Sequence, residues 1–158
     1  MSQDHASTAA RWAAWYAAFE ACAHDDQWAR LSDFLAEDAQ YRVIGVPFAA
    51  TVRGRAAIVA GFQRSFAQFD RKFDRRQHIV TETRFLEPGH VEVRIWGVYS
   101  KAGLPDLAFP SIGHLIFDGP RIALMIDLYD QALPQSEAAL QWIATHGAAL
   151  GGLDPSYA

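Results

Sequence analysis

Cysteine is nearly absent: Cys22 stands alone in 158 residues, so no intrachain disulfide can form and a packed core must hold the fold. No Cys/His spacing resembles a structural zinc site, and no metal or other cofactor is expected. Neither a GxSxG nucleophile turn nor a glycine-rich phosphate cradle occurs, which sets aside serine hydrolases of that type and nucleotide binders. Cationic excess is missing too. The formal net charge of −4 gives no footing for a nucleic-acid backbone or an anionic membrane. No apolar run approaches the roughly 18 residues of a membrane span, and the opening MSQDHASTAAR is polar. A cytoplasmic protein is the default expectation. With no repeat or linker, residues 1–158 read as a single domain with a core near 11–133 and a helix and tail over 134–158.

Aromatic side chains are plentiful, with five Trp, ten Phe and five Tyr. They suit either a core of large side chains or a cavity walled by rings. Along the chain, Trp12, Trp15, Tyr16, Phe19 and Cys22 recur at helical spacing over about 7–23. A second helix is expected near 27–35, a strand over 41–46, a loop over 47–52, and a third helix over 55–69. Strands over 77–86 and 90–99 flank Glu87-Pro88-Gly89, and strands over 108–117 and 121–129 flank Asp118-Gly119-Pro120. A short helix near 135–146 precedes a Gly-rich tail that is expected either to be mobile or to cap a cavity mouth. Helices first and long antiparallel strands after mean α+β rather than alternating α/β.

Among the polar residues, Asp127 interrupts the apolar run LMIDLY, and a carboxylate there is costly to bury unless bonded or used. If buried, its pKa should rise, which suits acid/base work. Alternation puts Met125, Asp127 and Tyr129 on one face; if Ile126 and Leu128 face the core instead, Asp127 is left outside. His114 interrupts another apolar strand and is read either as a satisfied core residue or as a partner of Asp127. The cluster Asp70, Arg71, Lys72, Asp74, Arg75 and Arg76 reads as a solvated loop, or else as a partner or anion site.

The order helix, helix, strand, helix and four-strand meander, with AEDAQY (36–41), Gly54-Arg55 and QHIVTETRF (77–85), resembles the SnoaL-like members of the nuclear transport factor 2 superfamily. That resemblance implies a cone-shaped barrel, a strongly curved, mixed but mainly antiparallel sheet wrapped around the N-terminal helices (cystatin-like). It further implies a deep apolar cavity for a small hydrophobic ligand, and a homodimer through the outer sheet face. The activity it implies is cofactor-independent acid/base chemistry of a dehydratase, cyclase or isomerase. The alternatives are a non-catalytic ligand-binding or assembly module, or an epoxide hydrolase of the limonene type.

His78 is similar to the general-base histidine of scytalone dehydratase, a job suited by a pKa near neutrality. The aspartate that orients that histidine corresponds to His24 here, with Asp25 one step off; helix-end capping is the other reading of both. Asp127 and His114 resemble acid/base groups of the cyclases and the epoxide hydrolase, and Tyr16 a donor from the first helix. Arg94 resembles the epoxide-hydrolase arginine, but Trp96 stands where that site needs a second aspartate and Val43 where it needs an asparagine. Val43 and Gly113 likewise replace the two aspartates of ketosteroid isomerase. Catalytic candidates are therefore His78, Asp127, His114, Tyr16 and His24. Trp15, Phe19, Tyr41, Phe62, Arg94, Trp96, Met125 and Tyr129 are the expected ligand contacts.

Overall fold

The apolar periodicity near the start of the chain builds α1 (Gln3–Asp25), whose Trp15 and Cys22 are buried. The Cys22 thiol packs as a small hydrophobe and donates to the Gln27 carbonyl. This computed structural model describes residues 3–154, 156 and 157. A 3₁₀ segment, Trp28–Phe34, follows where a regular helix was expected. It leads into β1 (Leu35–Ile44), which starts six residues before the expected strand. The Ala-Glu-Asp-Ala run favours helix by propensity. Strand pairing overrides that preference: Gln40 to Val43 bond to β2 (Ala50–Arg53) on one side and to β6 on the other. β2 takes up the second half of the expected loop and runs one residue past it, and its Thr51 and Val52 are β-branched.

Gly54 turns the chain from β2 into α2 (Arg55–Gln68) at φ 87°, a conformation that favours glycine. Then come β3 (Arg75–Glu87), β4 (His90–Ser100), β5 (Leu107–Asp118), β6 (Arg121–Leu128) and α3 (Pro134–His146). The four-strand meander thus falls where the sequence places it. Strand order is β2-β1-β6-β5-β4-β3, with β1 and β6 parallel and the other pairs antiparallel. The outer strands β2 and β3 do not pair, so the sheet is an open cone rather than a closed barrel. Register shifts in β1, β3 and β6 mark bulges, which bend strands and raise local twist.

Alternation sends Tyr41, Val43, Val91, Val93, Tyr99, Phe109, Leu115 and Met125 to the concave face, against α1 and α2. Phe69, at the end of α2, is 1% exposed and sits between Phe48, Phe73 and Tyr99, with ring centroids 5.3–5.6 Å away. Phe69→Ala would leave a void at this junction. Urea unfolding should show a loss of about 3–5 kcal/mol; a loss below about 1 kcal/mol would contradict this packing.

Candidate functional site

The concave face does not fill completely. A cavity of about 110 Å³ remains between the sheet, α1 and α2, walled by rings that include Phe19, Phe48, Phe62, Phe66, Phe69 and Phe109. Its polar groups gather in two clusters.

One cluster lies on the parallel pair of strands. Register sets Val43 of β1 beside Asp127 of β6, and Tyr41 beside Met125. Tyr41, 2% exposed, donates its phenol proton to Asp127 Oδ2 at 2.5 Å, the length of a charge-assisted O–H···O⁻ bond. Among the described residues no cation pairs with this carboxyl. Burial pushes its pKa up to about 6, and the Tyr41 bond opposes that only in part. Across the ladder Asp127 faces Gly113, where a Cβ would come within 3.1 Å of Oδ1. The missing side chain leaves that oxygen room. Tyr129 and Tyr157 stand nearby, their phenols kept protonated by burial.

The second cluster joins the base of α1 to β3. Arg76 bonds Glu20 at 3.0 Å and Asp70 at 2.9 Å, and its guanidinium lies 4.8 Å from the centre of the Phe66 ring. Tyr99 also donates to Asp70, at 3.1 Å. Desolvation raises Asp70 to about 6 even against Arg76. Arg76 Nη2 sits 2.7 Å from His78 Nδ1. Arginine only donates, so that nitrogen holds a lone pair and the imidazole is neutral. Burial first, and the Arg76 charge second, pull His78 down to about 3. The histidine is therefore held neutral rather than poised as the near-neutral base the sequence suggests: burial disfavours its charged form and Arg76 adds to that. Tyr16 donates to the His78 carbonyl at 3.2 Å.

His78, Asp127, Tyr16, Phe19, Tyr41, Phe62, Met125 and Tyr129 thus line one cavity. Five expected site residues do not project into it. His24 is exposed in the last turn of α1, where the helix ends before its side chain could turn inward. Trp15 is buried behind the wall, against Phe19, Phe34 and Phe62. Arg94 and Trp96 alternate to the outer sheet face, where Arg94 pairs with Glu82 at 3.3 Å. His114 borders the cavity along the chain, but its ring points to the outer face and meets His90 at 3.1 Å. Conversely, the cluster that reads as a solvated loop or an anion site puts Asp70 in the cavity wall, its side chain 10% exposed and paired with Arg76 at 12%. Arg76 shares a strand face with His78, a spacing of two that could have separated it from its exposed neighbours Arg71 and Arg75.

A cone-shaped α+β sheet around one polar-tipped aromatic cavity defines the nuclear transport factor 2-like class. Within it, the family model for the SnoaL-like domain matches residues 12–125, and the chain belongs to that family. No curated protein matches. Among solved structures, the chain is similar to Bal32a from a soil-derived mobile gene cassette (18% identity over 82% of this chain and 93% of that one, TM-score 0.64). It is also similar to a limonene-epoxide-hydrolase-like epoxide hydrolase of M. tuberculosis (15%, 85% and 93%, TM-score 0.60). A third is a protein of ketosteroid isomerase-like fold from Catenulispora acidiphila, in complex with trimethylamine (23%, 78% and 92%, TM-score 0.56). At these identities the likeness shows the fold. Among the described residues no His, Cys, Asp or Glu group is arranged to hold a metal ion, and no helix is long and apolar enough to cross a membrane.

A carboxyl whose pKa is higher folded than unfolded binds extra protons in the folded state between about pH 4 and 6. Its cost to stability therefore appears as pH rises through that window and is complete above it. Asp127→Asn should accordingly raise stability at pH 7.5 by about 2–3 kcal/mol and change it little at pH 4. Thermal or urea unfolding at the two pH values checks this, and an equal effect at both would contradict the raised pKa.

Proposed function

We propose that this SnoaL-like domain is a cofactor-independent acid/base enzyme acting on a small hydrophobic carbonyl or hydroxy compound. One observation carries the reading: a carboxyl with no cationic partner opens into an aromatic cavity and is tuned toward neutrality by burial. Structural carboxylates are normally paired or fully hydrogen-bonded when buried. Among the described residues Tyr41 bonds one Asp127 oxygen, and Gly113 leaves room beside the other.

In this reading the Asp127 carboxylate takes a proton from carbon beside the substrate carbonyl. The C–H electron pair moves into a new C=C bond, and the carbonyl oxygen gains the negative charge. Donors at the Arg76–His78 end meet that oxygen as its charge grows. Asp127, now protonated, returns the proton to another carbon, as in an isomerase, or to a departing hydroxyl, as in a dehydratase. Tyr41 holds the carboxyl in place and tempers its basicity. His78 serves as a neutral polar group rather than as the base. Arg94 lies outside the cavity, which removes its support from an epoxide-hydrolase assignment, and Trp96 adds none.

The second reading, a ligand-binding module, is favoured by Val43 and Gly113 standing where relatives carry polar groups. A panel of enolisable and β-hydroxy ketones separates the two. Asp127→Asn should cut turnover by about 10²–10⁴-fold while leaving ligand affinity within a few-fold. Ligand recovered unchanged from every incubation with the wild-type protein would favour the module instead. The outer sheet face, with Trp96, Pro110, Ile112 and Leu133 around one groove and Ile79 46% exposed, also suits a homodimer. Ile112→Glu should then shift a dimer toward monomer in size-exclusion chromatography with light scattering. A wild-type protein already monomeric at high concentration would contradict it.

A further inference from the structure

The segment after α3 does not trail away. It returns to α2 and delivers Tyr157 into the cavity wall. Arg64 of α2 donates to the Tyr157 carbonyl at 2.8 Å, and Asp154 donates its amide to Gln68. Gly61 of α2 admits the segment. A Cβ there would lie 2.8 Å from the Tyr157 carbonyl oxygen, closer than such atoms approach. The Tyr157 ring meets Tyr41 edge-on at 5.2 Å and Phe62 at 6.0 Å. Its phenol neighbours Tyr41, Ser65 and the Asp127 carboxyl. The bond donor to Asp127 is thus itself covered by a residue well beyond the family-matched stretch.

We infer that Tyr157 is a ligand-contacting, specificity-determining residue of the Asp127 cavity, seated there by the glycine notch at Gly61. The inference rests on the cavity being the ligand site. The ring sets how much room a ligand has beside Tyr41. The hydroxyl adds a donor that selects ligands carrying an oxygen acceptor at that place. An α2 with any side chain at position 61 would have to lift the segment away.

Gly61→Ala tests this without touching the cavity, since alanine is the better helix former and the helix should keep its shape. Two readouts are compared in wild type, Gly61→Ala, Tyr157→Phe and Tyr157→Ala. The first is NMR titration with ring-labelled tyrosine. In the wild type one resonance, absent from Tyr157→Phe, should resist ionisation well above the ordinary tyrosine value of about 10; in Gly61→Ala it should titrate near that value. The second is binding of cyclohexanone and of its larger homologue 4-tert-butylcyclohexanone. Gly61→Ala and Tyr157→Ala should shift the ratio of the two affinities toward the larger ketone by about tenfold or more, while Tyr157→Phe keeps the size preference and weakens both. A Tyr157 resonance that already titrates normally in the wild type, or an unchanged affinity ratio in both variants, overturns the inference with the proposed function intact. If neither ketone binds any form, it is the proposed ligand site that falls, and the titration alone decides the seating of Tyr157.

Discussion

The hydrogen bond from Tyr41 to Asp127 is the constraint on which the site depends. It spans the parallel β1–β6 pair, which joins the first strand of the chain to the last of the sheet. Each partner alone would be a poor resident of this interior, since an unbonded buried phenol or carboxyl costs free energy that packing must offset. Together they satisfy one oxygen of the carboxyl and leave the other open beside Gly113. Strand register and glycine placement thereby turn a liability in the core into an available acid/base group.

The second polar cluster answers the first in sign. Arg76 is a fixed cation braced by Glu20 and Asp70 and laid over Phe66. Burial and, second to it, Arg76 keep His78 neutral, while desolvation raises the Asp70 carboxyl beside Arg76 to about 6. Among the described residues Asp127 has no such counter-ion, and burial raises it to about 6. One end able to move a proton and another able to receive developing negative charge form a natural pair for chemistry beside a carbonyl.

Most of the fold was legible in the sequence, because long periodic elements and turn residues such as Pro88-Gly89 and Gly119-Pro120 carry local signals. The start of β1 and the whole of β2 were not: β6, far along the chain, draws β1 into the sheet against the local helix preference of residues 36–39, and β2 forms by pairing back on β1. Asp127, Tyr41 and the aromatic wall could be read from a polar residue inside an apolar strand and from alternation. The inward turn of Arg76 could have been read in the same way. The notch at Gly61 and the return of Tyr157 could not: each depends on a chain path that no spacing encodes. Arg94, Trp96 and His114 were drawn toward the site by resemblance, whereas alternation alone assigns them to the outer face.

The central claim is that Asp127 is a cavity carboxyl tuned toward neutrality by its surroundings. Carbon-13 NMR of side-chain-labelled aspartate, with the Asp127 signal assigned by its loss in Asp127→Asn, measures it directly. The account predicts a midpoint of about 6 for this carboxyl. A midpoint near the ordinary aspartate value of about 4 would contradict it and would mean that Asp127 is hydrated or paired rather than held for proton transfer.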